Sequence, residues 1–395
     1  MFFVLFILGA GFSAAIMPLV ASAEAQGDQL RVRRVTRMGF WLSALYGLVV
    51  LPAFWWSSPL LQAFGQQLSL AEEVQRYLRI AGFAIVPALL MMVVKSYLAA
   101  LEKTQVVLWI TVGGVGLNAV LNYALIFGHW GAPAMGIQGA AVASLLVNLG
   151  LFFGVVFYAS KTSAEHALFH RLWRLDWDVF GAVARMGVPV GLTSLAESGL
   201  FAASTIMMGW LGTVPLAAHG IAIQLTAATF MIHLGLSNAA TIRAGNALGR
   251  RDEGHLRRGA WAVTAVAMAV VAVTIYAFLA HPHTLIGLFL DVNDGDRDLI
   301  LQTGATLLAV AALFQLVDSV QAMALGLLRG VHDAGAPMVI AGVSYWMIGI
   351  PAAYYMGFVL QWQGVGVWMG LVVGLAVAAG LLMARFWIWS CKIEL

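Results

Sequence analysis

Long apolar runs recur along the whole chain, and they leave few folds open to it. Each run has at least about 20 residues, which is the length that an α-helix needs to cross the ~30 Å hydrocarbon core of a bilayer. Eleven runs meet this criterion: Met1–Val20, Met38–Leu61, Tyr77–Leu101, Gln105–Gly128, Met135–Tyr158, Phe180–Leu211, Leu216–Ala240, Gly259–Leu279, Leu301–Leu328, Met338–Leu360 and Val365–Ser390. The sequence therefore predicts an all-α polytopic membrane protein with eleven transmembrane helices.

Composition agrees with this fold class and excludes several functions. The 395 residues are 62% hydrophobic and only 10% charged, whereas soluble domains are about 25% charged. The net charge of +3 comes from basic residues in short loops, so we expect no nucleic-acid partner. A single cysteine, Cys391, excludes an internal disulfide framework and a cysteine-based metal cluster. Because no nucleophile–base pairing or cofactor loop is present, we expect neither an enzyme nor a bound cofactor.

Basic residues concentrate in alternate loops, and this asymmetry predicts the orientation. The basic set is Arg31, Arg33, Arg34, Arg37, Lys103, Lys161, Arg171, Arg174, Arg250, Arg251, Arg257, Arg258, Arg329 and Lys392. The opposite loops hold only Arg76 and Arg297 among these types and include the acidic group Asp291, Asp294, Asp296 and Asp298. The positive-inside rule places the basic set and the C-terminus in the cytoplasm. Trp55 and Trp56 then fall at the outer interface, in an aromatic belt.

The two halves of the chain resemble each other. Gly11–Ala15 aligns without gaps on Gly235–Ala239, an offset of 224 residues (235 minus 11), and the same register pairs Asp28 with Asp252. Such repeats are typical of transporters built from two similar bundles. We predict pseudo-symmetric bundles of five helices (residues 1–160) and six helices (179–395), joined by a cytoplasmic linker (161–178).

The repeat also bears on the start of the chain. Ala21-Ser22-Ala23 after the first apolar run resembles a signal-peptidase site, but that run pairs with an internal helix and is therefore expected to stay. Phe180–Leu211 has no partner in the first half. We therefore expect a further helix upstream of Met1.

Two acids lie deep in apolar sequence. Asp318 lies within Leu301–Leu328, which has no other formal charge, and Glu197 lies near the centre of Phe180–Leu211. A central Asp costs roughly 2.5–3.5 kcal/mol on insertion, and such acids usually face a cavity or an ion path. We expect the two acids to come from opposite halves and to form one cation-coupling site across a shared cavity. Packing between helices, with each acid hydrogen-bonded to a neighbour, is the alternative.

Further polar residues are candidates for the cation or substrate path. Gln315, Gln321 and Ser198 could complete an oxygen shell for transient Na⁺, although interhelical hydrogen bonding would also explain each of them. The remaining candidates are Asn118, Asn122, His219 and Gln224. Pro189 is a candidate hinge, because a bend there would move Glu197. His233 has no second ligand at metal spacing, so no metal site is predicted.

Several short motifs resemble the multidrug and toxic compound extrusion (MATE) family, in its NorM-type branch. They are Gly187-Val188-Pro189 leading to Ala196-Glu197-Ser198, Ala217-Ala218-His219-Gly220-Ile221-Ala222, Phe314-Gln315-Leu316-Val317-Asp318, Leu328-Arg329-Gly330-Val331-His332-Asp333 and Leu117-Asn118-Ala119-Val120-Leu121-Asn122-Tyr123. The resemblance implies twelve helices in two six-helix bundles, and export of cationic drugs coupled to Na⁺ or H⁺ entry. Against the family pattern we expect the first helix to be missing from the given sequence. The chain also differs in having Phe314 where many relatives have a tyrosine beside the cation site, and in having Gly220 where glutamine is usual.

From the resemblance we expect an antiporter of the bacterial inner membrane. It would export small, cationic, amphipathic drugs and toxic compounds, with Na⁺ or H⁺ as the coupling ion and the lipid bilayer as its surroundings, and it would act as a monomer. Two alternatives stay open. One is a lipid-linked oligosaccharide flippase of the same superfamily, which would need basic residues within the membrane to attract a pyrophosphate. The other is a truncated remnant that inserts without transporting.

Overall fold

The computed structural model describes residues 1–63, 65–291 and 295–392, and within them it contains eleven helices that are long and apolar enough to cross a membrane. The predicted all-α polytopic membrane fold is confirmed. The spans are α1 (Phe2–Ala25), α2 (Gln29–Trp55), α3 (Leu68–Ala100), α4 (Gln105–Phe127), α5 (Ile137–Thr162), α6 (Trp177–Leu211), α7 (Thr213–Arg250), α8 (Glu253–Ala280), α9 (Arg297–Gly330), α10 (Gly335–Val359) and α11 (Gln363–Ser390). Of the acidic loop, Asp294 lies outside the described residues, as does the C-terminal Leu395.

Several helices extend beyond the apolar runs, so the predicted boundaries were too short. Helix α2 begins at Gln29 rather than Met38, because the Asp28 carboxylate caps it by accepting a hydrogen bond from the backbone N–H of Arg31 at 2.9 Å. The arginines assigned to a loop there lie in the first turns of the helix instead. Likewise, α3 begins at Leu68 rather than Tyr77. Its first part is amphipathic, and the charged residues on one face lower the average hydropathy, so this part was not predicted as a helix.

The repeat has a structural counterpart at the starts of α2 and α8. The Asp252 carboxylate caps α8 by accepting from the backbone N–H of His255 at 2.8 Å, as Asp28 caps α2. Both aspartates donate their own backbone N–H to an alanine five residues earlier at 3.0 Å, Asp28 to Ala23 and Asp252 to Ala247. The preceding residues both have positive φ, 72° at Gly27 and 54° at Arg251. The gapless alignment thus identifies two equivalent turns.

The chain forms two compact units, Met1–Gly191 and Leu192–Leu395, with the boundary inside α6. In the first unit α1, α2 and α3 pack on one another, α5 packs on α3, and α4 packs on α5. The residues after α5 lie against this unit: Trp41 Nε1 donates to the carbonyl of Leu172 at 2.7 Å, and Lys103 Nζ donates to Oγ of Ser163 at 3.2 Å. The division into residues 1–160, 161–178 and 179–395 stays a prediction.

Helix α9 is central to the second unit, where α7, α8 and α11 all pack on it. The contact with α7 is close because Gly326 and Gly330 have no side chains. A Cβ on Gly326 would lie 2.5 Å from the carbonyl oxygen of Ser237. At this crossing Thr241 Oγ1 donates to the Gly326 carbonyl at 2.9 Å, and Ser237 Oγ donates to the Ala322 carbonyl at 2.6 Å. Small residues and interhelical hydrogen bonds replace the hydrophobic effect inside a bilayer.

Helix α10 contains two π-helical stretches, Val343–Gly349 and Tyr355–Val359, and packs along α11. A π turn accommodates one extra residue and re-aims the side chains around it, and such turns are frequent at functional sites. Trp346 lies in the first stretch, and its Nε1 donates to the carbonyl of Ala196 on α6 at 3.1 Å. This bond joins α10 to the segment of α6 that carries Glu197.

Candidate cation site

Asp318 lies in the middle part of α9 and is only 2% exposed. Within the described residues, neither of its carboxyl oxygens has a hydrogen-bond partner. Glu197 and Tyr345 are within electrostatic range of this carboxyl. An acid without a partner at membrane depth costs free energy whenever it is ionised. The site is therefore suited to a group that binds and releases a positive charge.

Glu197, in contrast, has a hydrogen-bonded neighbour. Gln321 Nε2, on α9, donates to Glu197 Oε1 at 3.2 Å. The carboxylate also lies within electrostatic range of Arg329, which the sequence had suggested is a loop residue and which instead lies in the last turn of α9. The two acids therefore differ: one is held by an amide donor and a distant cation, and the other is not.

The expectation that the two acids come from opposite halves is wrong. Both Glu197 and Asp318 belong to the second unit. The expectation also conflicted with the predicted division, because residues 179–395 contain both acids. In the structure α6 contributes to both units, and Glu197 lies six residues beyond Gly191 (197 minus 191), where the first unit ends. The pair therefore forms within one bundle, between α6 and α9.

Gln315 has a double role at the same face of α9. Its Nε2 donates to the carbonyl of Thr226 at 3.2 Å and to Oγ1 of Thr229, which fastens α9 to α7. Its Oε1 is buried and has no hydrogen-bond partner within the described chain. The amide group thus serves packing, while its oxygen remains available as a ligand.

His219 is part of a hydrogen-bonded chain that links three helices. Trp368 Nε1 donates to His219 Nδ1 at 3.1 Å, and His219 Nε2 lies 3.1 Å from Thr205 Oγ1, which itself donates to the Phe201 carbonyl at 3.0 Å. Because an indole N–H can only donate, Nδ1 must be the acceptor and Nε2 must carry the proton. This arrangement assigns a neutral imidazole that joins α11, α7 and α6, rather than an ion ligand.

Phe314 packs in the same region. Its ring makes edge-to-face contacts with Trp368 at 5.7 Å and with Phe201 at 5.9 Å between centroids, and it is 2% exposed. The phenylalanine therefore supplies an apolar wall one turn from Asp318 on α9, with no hydroxyl to donate to it.

The remaining predicted path residues either form hydrogen bonds within their own helices or are exposed. Ser198 Oγ donates to the Ser194 carbonyl of its own helix at 2.9 Å, and Gln224 is exposed on α7. Asn122 Nδ2 donates to Asn118 Oδ1 at 2.9 Å within α4, in the first unit. Pro189 lies in the part of α6 that belongs to the first unit, and the helix continues through it. Its role as a hinge stays a prediction.

Sequence reasoning missed three neighbours of the acids: Tyr345, Arg329 and Trp346. The Tyr345 side chain is fully buried and lies close to Gln321, but neither its hydroxyl nor Gln321 Oε1 has a hydrogen bond of normal geometry within the described residues. A polar aromatic pair in the middle of an apolar run was the available signal. Tyr345 and Trp346 lie in the π-helical stretch, which changes the directions of their side chains and which a hydropathy pattern does not reveal.

Comparison with known proteins identifies relatives over nearly the whole chain. The MatE family model matches residues 1–124 and 189–355. A probable multidrug resistance protein NorM of Rhizobium meliloti (strain 1021) is 44% identical over 387 residues, covering 98% of this chain and 83% of the relative. The protein of the same name from Agrobacterium fabrum is 43% identical with the same coverage. The crystal structure of a MATE protein in the bent conformation is similar in fold, with a TM-score of 0.86 at 20% identity, over 99% of this chain and 86% of that one.

Proposed function

Because this chain belongs to the MatE family of transporters and is not an enzyme, we propose that it is a multidrug exporter coupled to Na⁺ or H⁺ entry. Its substrates are small, cationic, amphipathic compounds, including drugs, which it moves out across the bacterial inner membrane. The names of the NorM relatives support the multidrug assignment. The cation coupling rests on the residues around Asp318.

The observation that carries the proposal is the buried, unpaired carboxyl of Asp318. Ionised, it would be an uncompensated charge in a medium of low dielectric, where the electrostatic cost is far higher than in water. Neutralisation by an arriving cation or proton removes that cost. The carboxyl therefore alternates between an occupied and a costly vacant state, and the second state favours capture of the next positive charge.

Both coupling ions suit the chemistry of this site. Protonation would make Asp318 neutral outright. Sodium would need several oxygen ligands, as hard cations do, and the Asp318 carboxyl, Gln315 Oε1 and Gln321 Oε1 are candidates. Gln315 and Gln321 are three residues before and after Asp318, so they flank it on the same side of α9.

Competition for one negative charge supplies the coupling. A cationic substrate and the coupling ion cannot both neutralise Asp318, so binding of one promotes release of the other. Phe314 and Trp368 are buried and pack edge-to-face in one cluster with Phe201, so of these three rings only the partly exposed Phe201 could contact an amphipathic cation. Glu197 assists as a second acid whose orientation is set by Gln321.

Transport in everted membrane vesicles tests the proposal. The parent should export a cationic dye against its gradient when a Na⁺ gradient or a pH gradient is imposed, and the effective gradient identifies the ion. Asp318→Asn keeps the size and removes the titratable charge, so it should reduce ion-driven export to background while expression and insertion remain. Glu197→Gln should do the same, and the double variant should be no worse, because groups that act as a unit are not additive.

Glu253→Gln is the matched control. Glu253 forms an exposed ion pair with Arg257 at 2.7 Å, and such pairs contribute little to stability. The control should transport like the parent. Dye export by Asp318→Asn and Glu197→Gln at the parental rate and expression level would show that both acids are structural. A parent that transports under neither gradient would contradict the coupling itself.

A further inference from the structure

An apolar groove lies between the end of α2 and the start of α3, in the first unit. Its volume is about 320 Å³, and its walls are aliphatic and aromatic, with Leu48, Leu51 and Phe83 among them. Gly82 allows the two helices to close at the bottom of the groove, since a Cβ there would lie 2.8 Å from Phe54, which is buried. Leu48 and Phe83 remain about half exposed, at 56% and 47%. The groove is therefore an open, apolar surface that is formed by packed side chains of the two helices.

Arg79 is the only charged residue that lines this groove in the described part of the chain. Its Nε donates to the carbonyl of Trp55 at 3.2 Å, and its guanidinium carbon lies 5.2 Å from the centroid of the Trp55 ring. Trp55 in turn packs edge-to-face on Phe83 at 6.3 Å. These contacts hold the guanidinium over an aromatic face and leave its two Nη groups for another acceptor. A guanidinium held in this way can donate two parallel hydrogen bonds to two oxygens of one phosphate group.

The groove lies at one membrane interface. Helix α2 has 27 residues and so is about 40 Å long, with its arginines at one end and Trp55 at the other. Tryptophan is enriched at the headgroup level of a bilayer. The stretch Leu68–Ala81, which carries Arg79 near its end, is amphipathic, as helices that lie at an interface are. A cation thus stands at headgroup level above an apolar cleft that opens to the bilayer.

We propose that this groove binds an anionic phospholipid, with its phosphate on Arg79 and an acyl chain between α2 and α3. The chemistry favours this occupant over the exported compounds, because Arg79 would repel a cation. It also favours an anionic over a zwitterionic lipid, because a zwitterionic headgroup carries its own cation to Arg79. By the predicted orientation the lipid belongs to the outer leaflet.

Native mass spectrometry of the purified protein tests the proposal, with phosphatidylglycerol and phosphatidylethanolamine of identical acyl chains as probes. The parent should bind phosphatidylglycerol more tightly than phosphatidylethanolamine. Arg79→Gln should weaken that binding about tenfold, the effect of losing one charge-assisted hydrogen bond, and leave phosphatidylethanolamine unchanged. Arg79→Lys keeps the charge and should retain the preference. Leu48→Trp fills the groove and should weaken the binding of both lipids.

Arg76→Gln is the control, since Arg76 lies one turn away on the same helix but lines a separate hollow with Glu73 and Gln138. It should bind both lipids as the parent does. Equal phosphatidylglycerol affinity in Arg79→Gln and the parent would overturn the proposal. So would an equal loss in Arg79→Gln and Arg76→Gln, which would indicate nonspecific attraction, or a parent with no preference between the two lipids.

Discussion

At the scale of single residues, the sequence showed that each acid lies within a spanning helix, but it did not show the hydrogen-bond partners of either acid. Asp318 and Glu197 both lie in apolar runs and look alike in that respect. The structure distinguishes them, since Glu197 accepts a hydrogen bond from Gln321 and Asp318 accepts none within the described residues. Whether an acid lies within an apolar run is a local property of the sequence. A hydrogen bond between two residues that are 124 positions apart in the chain depends instead on how their helices cross.

His219 shows the same distinction. It was a candidate for the substrate path, and the structure gives both of its ring nitrogens partners inside the second unit. Trp368→Phe removes the N–H that serves His219 Nδ1 and leaves a buried acceptor unpaired. We expect the free energy of unfolding in detergent to fall by about 1–3 kcal/mol, as measured by thermal or denaturant unfolding.

The control for this prediction is Trp362→Phe, on a tryptophan that is 50% exposed and precedes the same helix. Its effect should stay within about 0.5 kcal/mol. A further variant, Trp368→Phe with His219→Leu, replaces both partners by apolar groups and should cost less than the sum of the single changes. Equal stability of Trp368→Phe and the parent would mean that the indole N–H contributes nothing to the fold.

At the scale of elements, helix number and type followed from the apolar runs, while helix ends and contacts did not. All eleven spans were predicted, but α2 and α3 each begin nine residues before their predicted starts (38 minus 29 and 77 minus 68). Caps and amphipathic turns extend a helix beyond the membrane, where hydropathy carries no signal. The π turns of α10, which packs along α11, were likewise not predicted, because the hydropathy pattern does not mark them.

Close packing of α7 on α9 leads to a prediction for Gly330. A Cβ on Gly330 would approach the Ala244 side chain and lie 2.7 Å from the carbonyl oxygen of Thr241. Gly330→Ala should therefore push the helices apart and lower the free energy of unfolding by about 1–3 kcal/mol. The same thermal unfolding measurement checks it.

Gly380→Ala is the control for this prediction, because no atom lies within 4 Å of a Cβ at this helical position. There the substitution should be neutral or stabilise by up to about 1 kcal/mol, since alanine is the better helix former. If the two variants have the same stability, the crossing of α7 and α9 tolerates a methyl group and its closeness is not required.

At the scale of the whole molecule, orientation follows from loop charge and is open to a direct test. A reporter fused after Leu395 should be cytoplasmic, and one inserted between Asp291 and Asp298 should be periplasmic, because basic residues are retained on the cytoplasmic side. Alkaline phosphatase and a fluorescent protein report the two sides by activity and by fluorescence. The reverse pattern at either position would refute the orientation, and with it the assignment of the Arg79 groove to the outer leaflet.

By itself, the sequence determined the membrane fold, the eleven helices, the equivalent turns at Asp28 and Asp252, and the location of Asp318 and Glu197 inside spanning helices. Each of these depends on residues close together in the chain, or on a repeat that is visible in one dimension. Only the tertiary structure decided that both acids belong to the second unit, that Gln321 binds one of them, that His219 is a packing link, and that Arg79 stands above an apolar groove. These facts depend on crossing geometry between helices, which is set by small residues such as Gly326 and by π turns, and a hydropathy pattern contains no measure of either.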